Sequence, residues 1–422
     1  MSERQELTGQ VEKLLPGGEA LVRSEGSVFL VANAVPGDTV VIQPMDKRRG
    51  SQRASLQKTL ITSPIRIKAA CSVADMCGGC SLQYLEPAQH AEVKSEWVLD
   101  IFRDFLDSSS TWLPAIEQRQ SYRRRVRWFI DEDDVGVFLG FKGRASHKVI
   151  RQSDCMVVSG LLNQLRETIE SAMEQDCFHQ AKSVQALELN DGIHVVVEYE
   201  KPPVSLSVPC STLNSLPVQW WFKTSSGTFP MNRPVATLHD RIALDDSEID
   251  IRIGPDDFVQ GQAEGNSQMI CQVLEWGKQA KIVVDFFSGV GNLSLPLAKA
   301  LDARVNGAEL NQASVQAANA NAKRLGLNAK YQQVNLFETF DAEPFAGADL
   351  LILDPPRRGA KKICQMMGTL LPKKIVMINC DPASGGRDAA TLYSLGYKLH
   401  TLRALDLFPY AGHVEAMSLW IR

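Results

Sequence analysis

The chain has 422 residues, 44% of them hydrophobic and 22% charged, a composition typical of proteins with ordinary cores rather than of disordered ones. Its 45 Lys and Arg residues against 49 Asp and Glu residues give a formal net charge of −4, which argues against a uniformly basic nucleic-acid binder. No run approaches the roughly 18 consecutive apolar residues of a membrane-spanning helix, and the first residues lack an apolar signal core. We therefore expect a cytoplasmic protein with no membrane partner and, at roughly 150 residues per domain, two or three domains.

Residues 1–65 are expected to form a small β-barrel of the OB type. Short β-prone runs at 20–22, 28–31 and 39–42 are separated by turn signals that contain Gly or Pro. Several short strands at this spacing favour a closed barrel over a longer sheet.

Three cysteines with close spacing follow the barrel. Cys71, Cys77 and Cys80 are separated by five and two residues, and the glycines between the last two let the backbone fold around a ligand. A fourth ligand is needed, and Cys155 is the best candidate. Four thiolates fit zinc or an iron–sulfur cluster. The five-residue gap is wide for a zinc site, so we favour iron–sulfur, in a structural or RNA-positioning role rather than a redox one.

Residues 66–235 are expected to form a central α+β domain. Apolar spacing predicts a helix over 87–106, and the alternation of Arg with Val, Trp and Phe predicts a strand over 122–131 with one basic face. Residues 119–151 hold 9 Lys and Arg against 4 Asp and Glu, a local charge of 9 − 4 = +5. The overall negative charge therefore conceals a basic segment.

A second basic segment coincides with the predicted barrel. Residues 1–70 hold 10 Lys and Arg against 7 Asp and Glu, a local charge of 10 − 7 = +3. Three consecutive basic residues, Lys47, Arg48 and Arg49, lie on a predicted loop, which we interpret as a solvated turn.

Residues 236–422 alternate between predicted strands and helices, the pattern of a doubly wound, Rossmann-like α/β domain. The predicted strands are 281–287, 304–309, 349–354, 375–380 and 417–421, and the predicted helices are 292–300 and 311–325. The run at 349–354 is almost entirely apolar, as strands buried on both faces of a parallel sheet are.

A cofactor site is predicted where the first of these strands turns into a helix. Gly289 and Gly291 allow close approach of a ligand, and Glu309 ends the next strand 309 − 285 = 24 residues after Asp285, where such folds place a carboxylate on ribose hydroxyls. The third glycine of a dinucleotide site is absent, so the motif favours adenosylmethionine over NAD. The Asp-Pro-Pro run that begins at Asp354 stiffens another loop at the same edge of the sheet.

Two residues suggest the chemistry. Cys380 follows a parallel strand, and Glu415 comes just before the last one. C5 of uracil is too poor a nucleophile to attack a sulfonium methyl group directly, but addition of a thiolate to C6 converts C5 into a carbon that can. A base must then remove the C5 proton so that the thiol can leave. Cys380 and Glu415 suit these two roles.

The ordered set of motifs resembles the bacterial ribosomal RNA (uracil-C5)-methyltransferases, and in particular those that carry a TRAM domain and a [4Fe–4S] cluster, over nearly the whole chain. The resemblance makes 1–65 a TRAM domain, the four cysteines cluster ligands, Cys380 the nucleophile and Glu415 the base. It places adenosylmethionine contacts on Gln260, Phe287, Asn292, Glu309, Asn335 and Asp354. Gln262 stands where the family usually has Asn.

The resemblance implies an adenosylmethionine-dependent enzyme that makes 5-methyluridine in 23S rRNA and acts as a monomer. The target base would be flipped into the site. The barrel and Arg123, Arg124 and Arg125 would hold RNA backbone and stacked bases. Of the interleaved rings of Trp128 and Phe129, at least one is expected in the core.

Three alternatives stay open. The same chemistry on tRNA fits the same residues. An adenine amino-methyltransferase also carries Asp-Pro-Pro but needs no cysteine, so its activity would survive Cys380→Ala. A catalytically relict RNA-binding or chaperone protein would fail to bind adenosylmethionine.

Overall fold

The computed structural model describes residues 6–45, 52–117, 122–174, 176–245 and 247–422. Lys47, Arg48 and Arg49, predicted from the sequence to lie in a solvated turn, are outside these ranges. Within them, no helix combines the length and apolar character needed to cross a bilayer.

The N-terminal part is a closed five-stranded barrel with the strand order β1-β2-β3-β5-β4. Its strands are β1 (Leu7–Leu14), β2 (Ala20–Ser24), β3 (Ser27–Val31), β4 (Thr39–Pro44) and β5 (Arg53–Ile61). β4 closes the barrel by pairing antiparallel with β1. Alternate residues such as Val22, Phe29 and Val40 are buried inside, as the two-residue period of a strand requires. The predicted barrel is confirmed.

The middle of the chain begins with one helix and one strand, α1 (His90–Phe102) and β6 (Thr111–Glu117). The helix falls within the predicted range of 87–106. A mixed sheet of eight strands follows, with the order β12-β13-β11-β10-β7-β8-β9 and β14 paired to β13. Its elements are β7 (Arg125–Asp133), β8 (Gly136–Lys142), β9 (Val149–Arg151), α2 (Gly160–Glu170), β10 (Ala181–Leu189), β11 (Gly192–Tyr199), β12 (Thr212–Leu213), β13 (Leu216–Thr224) and β14 (Gly227–Pro230).

One face of the middle sheet packs on α2, and this packing decides the role of the predicted basic strand. Trp128 is 1% exposed and belongs to the core between sheet and helix, whereas the ring of Phe129 is only partly buried. Arg124 is buried and donates to both carboxylate oxygens of Asp240, at 2.5 and 2.9 Å, and to the carbonyl of Gln260. The prediction that Arg124 holds RNA is therefore wrong, because its guanidinium group is buried and ion-paired with Asp240.

The C-terminal part begins with a two-stranded hairpin, β15 (Leu238–Leu244) and β16 (Ser247–Ile253). The doubly wound unit follows. Its elements are α3 (Ala263–Trp276), β17 (Ile282–Phe286), α4 (Ser294–Leu301), β18 (Arg304–Glu309), α5 (Gln312–Leu325), β19 (Ala329–Gln333), β20 (Leu350–Leu353), α6 (Lys361–Gln365), α7 (Met367–Leu370), β21 (Lys374–Asn379), α8 (Pro382–Ser394), β22 (Lys398–Asp406) and β23 (Glu415–Ile421).

The C-terminal sheet has the order β19-β18-β17-β20-β21-β23-β22-β6. The strands from β19 to β21 are parallel, and β23 inserts antiparallel between β21 and β22. The predicted doubly wound domain is confirmed. Local capping signals explain why the bounds of α5 could be predicted. The Asn311 side chain accepts from two backbone N–H groups at the start of the helix, and Gly326, with a positive φ of 66°, ends it.

The edge strand β6 comes from the middle of the sequence and pairs in parallel with β22. Helix α1 packs against the same strand, with Val98 and Phe102 fully buried in the shared core. Residues 87–117 therefore pack on the C-terminal sheet, although the sequence analysis assigned them to the central domain of residues 66–235.

Candidate active site

The carboxyl ends of the parallel strands meet along one edge of the C-terminal sheet. The register aligns Phe286 with Ala308 on one side and with Leu353 on the other, and Leu353 with Met377. The residues just beyond these ends are therefore brought together, as expected for a ligand crevice in an open α/β sheet. They include five predicted site residues: Phe287, Glu309, Asn335, Asp354 and Cys380.

Cys380 and Glu415 lie opposite each other across two neighbouring strands. The last antiparallel pair of β21 and β23 is Asn379 with Ala416, so Cys380 and Glu415 occupy the next position of the ladder. Directly opposed residues have Cβ atoms roughly 5 Å apart. Cys380 is half-buried, with Sγ 4.0 Å from the Pro355 carbonyl oxygen, and Glu415 is buried. The thiol and the carboxyl group therefore border the same part of the crevice.

Burial gives this pair unusual acid–base properties. It raises the pKa of Glu415 to about 8, and the nearby charge of Asp354 adds to the effect. Burial, then the charges of Glu415 and Asp354, raise the pKa of Cys380 to about 11, while Arg357 opposes them. The pKa of Asp354 itself is raised to about 7 by burial. Acidic groups with pKa values shifted toward neutrality are suited to proton transfer.

The loop after β17 has the backbone of a ligand cradle. Gly289 and Gly291 have positive φ values of 52° and 85°, and a Cβ on Gly291 would lie 2.8 Å from Leu295. Phe287 also has a positive φ, of 65°, which is uncommon for a bulky residue and is held by this turn. The carboxylate of Glu309 accepts from the backbone N–H of Gly289 at 3.1 Å. The predicted glycine motif and Glu309 are thus in direct contact.

A second group of contacts fixes the remaining predicted cofactor residues. Asn292 exchanges two amide hydrogen bonds with Asn266, of 2.8 and 2.9 Å. The Asn335 side chain accepts from the N–H of Phe337, whose ring lies 5.3 Å from the ring of Phe287. Neither Asn266 nor Phe337 was singled out from the sequence, because both lie in stretches without a recognisable motif.

Several buried polar atoms at this edge have no partner among the described residues. They include Oγ of Ser288, Oδ1 of Asp285, and both side-chain polar atoms of Gln262 and Asn379. Buried polar atoms are normally hydrogen-bonded, so unpaired ones are available to a ligand or water. Gln260 is also buried, and its carbonyl holds Arg124. The polar atoms, glycine turn and aromatic pair fit adenosylmethionine, which needs partners for its ribose, amino acid and adenine groups.

The four predicted ligand cysteines line one cavity. Cys71, Cys77, Cys80 and Cys155 share it with mostly apolar neighbours and with the one basic residue among its lining residues, Arg123. Burial raises the pKa of the Cys77 and Cys155 thiols, and that of Cys80 to about 11, with neighbouring cysteines contributing to each shift.

The positions of these cysteines bear on what they could hold. In the described part of the chain, no group of three or more His, Cys, Asp or Glu residues is arranged to hold a metal ion. The predicted iron–sulfur cluster at the four cysteines therefore stays a prediction.

Comparisons with known proteins agree with this geometry. A protein family described as "Methyltransferase small domain" matches residues 248–373. The chain is 31% identical over 418 residues to "23S rRNA (uracil(1939)-C(5))-methyltransferase RlmD" of Shewanella sp. (strain ANA-3), covering 96% of this chain and 93% of the relative. It is 30% identical to the protein of the same name in Pseudomonas aeruginosa (strain UCBPP-PA14), covering 100% and 94%.

A solved structure shares the fold over nearly the full length. The Pyrococcus abyssi tRNA (uracil-54, C5)-methyltransferase in complex with S-adenosyl-L-homocysteine superposes with a TM-score of 0.76. It is 21% identical, and the match covers 98% of this chain and 100% of that one. The C-terminal unit therefore has the class I methyltransferase fold.

Proposed function

The chain belongs to the RlmD family of 23S rRNA (uracil-C5)-methyltransferases, and on that premise we propose that it converts a uridine of 23S rRNA to 5-methyluridine with adenosylmethionine as methyl donor. The observation that carries the proposal is the placement of Cys380 opposite Glu415 beside the glycine loop. A thiol and a carboxyl with a shifted pKa at the mouth of a methyltransferase fold match the needs of this reaction.

Cys380 is the proposed nucleophile. Its sulfur adds to C6 of the uracil ring, which breaks the C5–C6 double bond and leaves the electron pair on C5 and O4. With a pKa of about 11, the thiol needs a proton acceptor as the bond forms. The pKa of Asp354, about 7, makes its carboxylate a suitable acceptor at neutral pH and leaves Glu415 free for the last step.

Glu415 is the proposed base of the last step. After C5 has received the methyl group, the Glu415 carboxylate removes the remaining C5 proton. The C–H electron pair then re-forms the C5–C6 double bond, and the thiolate of Cys380 leaves. Because the side chain is buried, water does not compete for the base.

The methyl donor would be held by the residues at the sheet edge. Adenosylmethionine supplies an electrophilic methyl group when bound. Glu309, already fixed by Gly289, is placed for ribose hydroxyls, and the Phe287 ring for adenine. Gln260, Asn292, Asn335 and Asp354 complete the proposed set, and Asn266 orients Asn292.

Aromatic side chains that lie beside basic ones suggest where RNA lies. Phe258 is 65% exposed beside the Arg125 guanidinium, 5.9 Å from its ring, and comes just before Gln260. Phe129 lies under the Lys142 ammonium at 4.5 Å. Rings next to cations stack on unpaired bases. The proposed division is a TRAM barrel at 1–65, a central domain at 66–235 from which residues 87–117 pack on the C-terminal sheet, and a methyltransferase domain at 236–422, in a cytoplasmic monomer.

The four-cysteine cavity is proposed to hold a [4Fe–4S] cluster. Protein purified without oxygen should be brown and contain about four irons per chain. Cys155→Ser should lose most of this iron, whereas Cys210→Ser, which changes a half-buried cysteine outside the cavity, should keep it. Colourless protein with one zinc per chain, or equal iron in both variants, would contradict the cluster.

A trapping experiment tests the function directly. RNA with 5-fluorouridine lacks the C5 proton that Glu415 must remove, so the adduct with Cys380 should survive denaturing electrophoresis. Its formation should require adenosylmethionine. Mapping the attached nucleotide on 23S rRNA shows whether it is uridine 1939, the position in the relatives' names. An adduct on tRNA alone would identify tRNA, and not 23S rRNA, as the substrate. Failure to bind adenosylmethionine in calorimetry would favour a catalytically relict RNA-binding protein.

A further inference from the structure

Residues 407–414, which we call the strap, connect β22 to β23. Glu415, the first residue of β23, follows directly. The strap lies in the C-terminal part, but donors from the first 122 residues of the chain reach four of its backbone carbonyls. The accepting carbonyls belong to Phe408, Pro409, Tyr410 and Gly412. Five such hydrogen bonds therefore hold residues 408–412, a few residues before the proposed base.

The first anchor is the barrel. The N–H of Gly17, in the turn between β1 and β2, donates to the Gly412 carbonyl at 2.9 Å. The two backbones touch here, since a Cβ on Gly412 would lie 2.2 Å from the Gly17 carbonyl carbon. A glycine is therefore required on the strap side of the contact.

The second anchor is the loop that carries the cysteines. The N–H groups of Ser81 and Leu82 both donate to the Tyr410 carbonyl at 2.8 Å, and Ser81 directly follows Cys80. Tyr410 has a positive φ of 65°, a conformation that costs free energy in a residue other than glycine. Its ring is also held, edge-on to the imidazole of His90 at 5.2 Å.

The third anchor consists of two side chains of the middle region. Lys94 on α1 is fully buried, and its ammonium donates to the Phe408 carbonyl at 2.9 Å and to the Asp406 carboxylate at 2.5 Å. The hydroxyl of Tyr122 donates to the Pro409 carbonyl at 3.2 Å. A buried ammonium without these acceptors would be very costly, so both contacts are kept. Lys94 therefore holds together Asp406, the last residue of β22, and Phe408 of the strap.

We propose that Lys94 and Tyr122 are positioning residues for Glu415, acting through the strap together with the Ser81–Leu82 amides. The inference rests on the proposed function, because it takes Glu415 as the base that removes the C5 proton. Neither side chain touches the reacting atoms. Each hydrogen-bonds to a strap carbonyl. The strap in turn fixes the position of the first residue of β23, which is Glu415.

This arrangement affects one step of the reaction more than the others. Addition of Cys380 and methyl transfer to C5 depend on residues that follow β21 and β17. The strap joins β22 to β23 and does not contain these residues. Proton removal depends on Glu415. A displacement of about 1 Å can cost about 100-fold in rate, so loosening the strap should slow release of the methylated adduct and leave RNA affinity unchanged.

The test compares Tyr122→Phe and Lys94→Met with wild type and with Trp97→Phe. Tyr122→Phe removes one hydroxyl and keeps the ring, so it remains informative if Lys94→Met, which leaves Asp406 buried and unpaired, does not fold. Trp97 is the matched control, because it lies on α1 and its indole donates to the Leu14 carbonyl of the barrel and not to a strap carbonyl. The measurements are kcat, RNA affinity, and the amount of methylated protein–RNA adduct on ordinary uridine RNA.

We expect a fall in kcat of about 10- to 100-fold, RNA affinity within twofold of wild type, and accumulation of methylated adduct in the strap variants only. A lower kcat without adduct, a change confined to RNA affinity, or an equal effect of Trp97→Phe would each overturn the proposal.

Amide hydrogen exchange gives a readout that does not depend on activity. Exchange should rise in the strap and in the first residues of β23 in both variants, and stay unchanged in α5. An unchanged start of β23 would overturn the proposal. Inactive wild-type protein would instead contradict the proposed function, and exchange would still decide whether the strap holds β23.

Discussion

Replacement of Cys380 by Ala should abolish formation of 5-methyluridine, with kcat at least about 10⁴-fold lower, on the scale seen when other enzymes lose a covalent nucleophile. This corresponds to about 5.4 kcal/mol of barrier. The reason is chemical, since without an adduct at C6 the C5 carbon has no electron pair to offer. Cys380→Ser should be similarly inactive, because a serine hydroxyl is the weaker nucleophile unless a dedicated base activates it. Transfer of labelled methyl groups to RNA measures both.

The control for this result is a cysteine of the same domain outside the crevice. Cys271 lies half-buried on α3, so Cys271→Ala should keep wild-type activity. Adenosylmethionine affinity measured by calorimetry should be unchanged in Cys380→Ala, which separates loss of chemistry from loss of fold. If the Cys380→Ala protein still methylates RNA, the reaction does not pass through a cysteine adduct, and methylation of an adenine amino group becomes the better interpretation.

The parts of this molecule that could be predicted from the sequence are those with local causes. β18 has the predicted bounds, Arg304–Glu309, because the strand–helix alternation leaves one short segment between the two helices, and that segment ends in a charged residue. The glycine turn and Glu309 contact each other because the fold always brings these strand ends together. Cys380 and Glu415 come to adjacent positions for the same reason, although they are 35 residues apart, since 415 − 380 = 35.

The parts that escaped prediction depend on partners far away in the chain. Arg124 belongs to an Arg-rich strand that looked basic and exposed, but Asp240, 116 residues later, pairs with it in the interior. Lys94 sits in a correctly predicted helix, yet nothing around it in the sequence indicates a buried ammonium bound to Asp406, 312 residues away. β6 likewise has its partner, β22, near the other end of the chain. Such contacts follow from packing and not from any local pattern.

Replacement of Glu415 by Gln should stop the reaction at elimination, two steps after the addition that the Cys380 change blocks. Gln keeps the size of the side chain but cannot accept a proton, so addition and methyl transfer still occur and the methylated adduct cannot eliminate. Turnover should fall by about 10²- to 10⁴-fold, the usual contribution of a general base. Nearly every enzyme molecule should become attached to ordinary uridine RNA through Cys380, with one labelled methyl group in each adduct. Denaturing electrophoresis with radiolabelled adenosylmethionine measures this directly.

The pH dependence of elimination provides the sharper test of Glu415. Only the carboxylate can remove the proton, and burial with the Asp354 charge raises its pKa to about 8. Both causes remain when Cys380 is bonded to RNA. The decay of preformed wild-type adduct should therefore become faster as the pH rises from 6, by about tenfold per unit, and level off above about 8. Decay that levels off near pH 7, or rapid decay in Glu415→Gln, would assign the proton to Asp354, whose pKa is about 7.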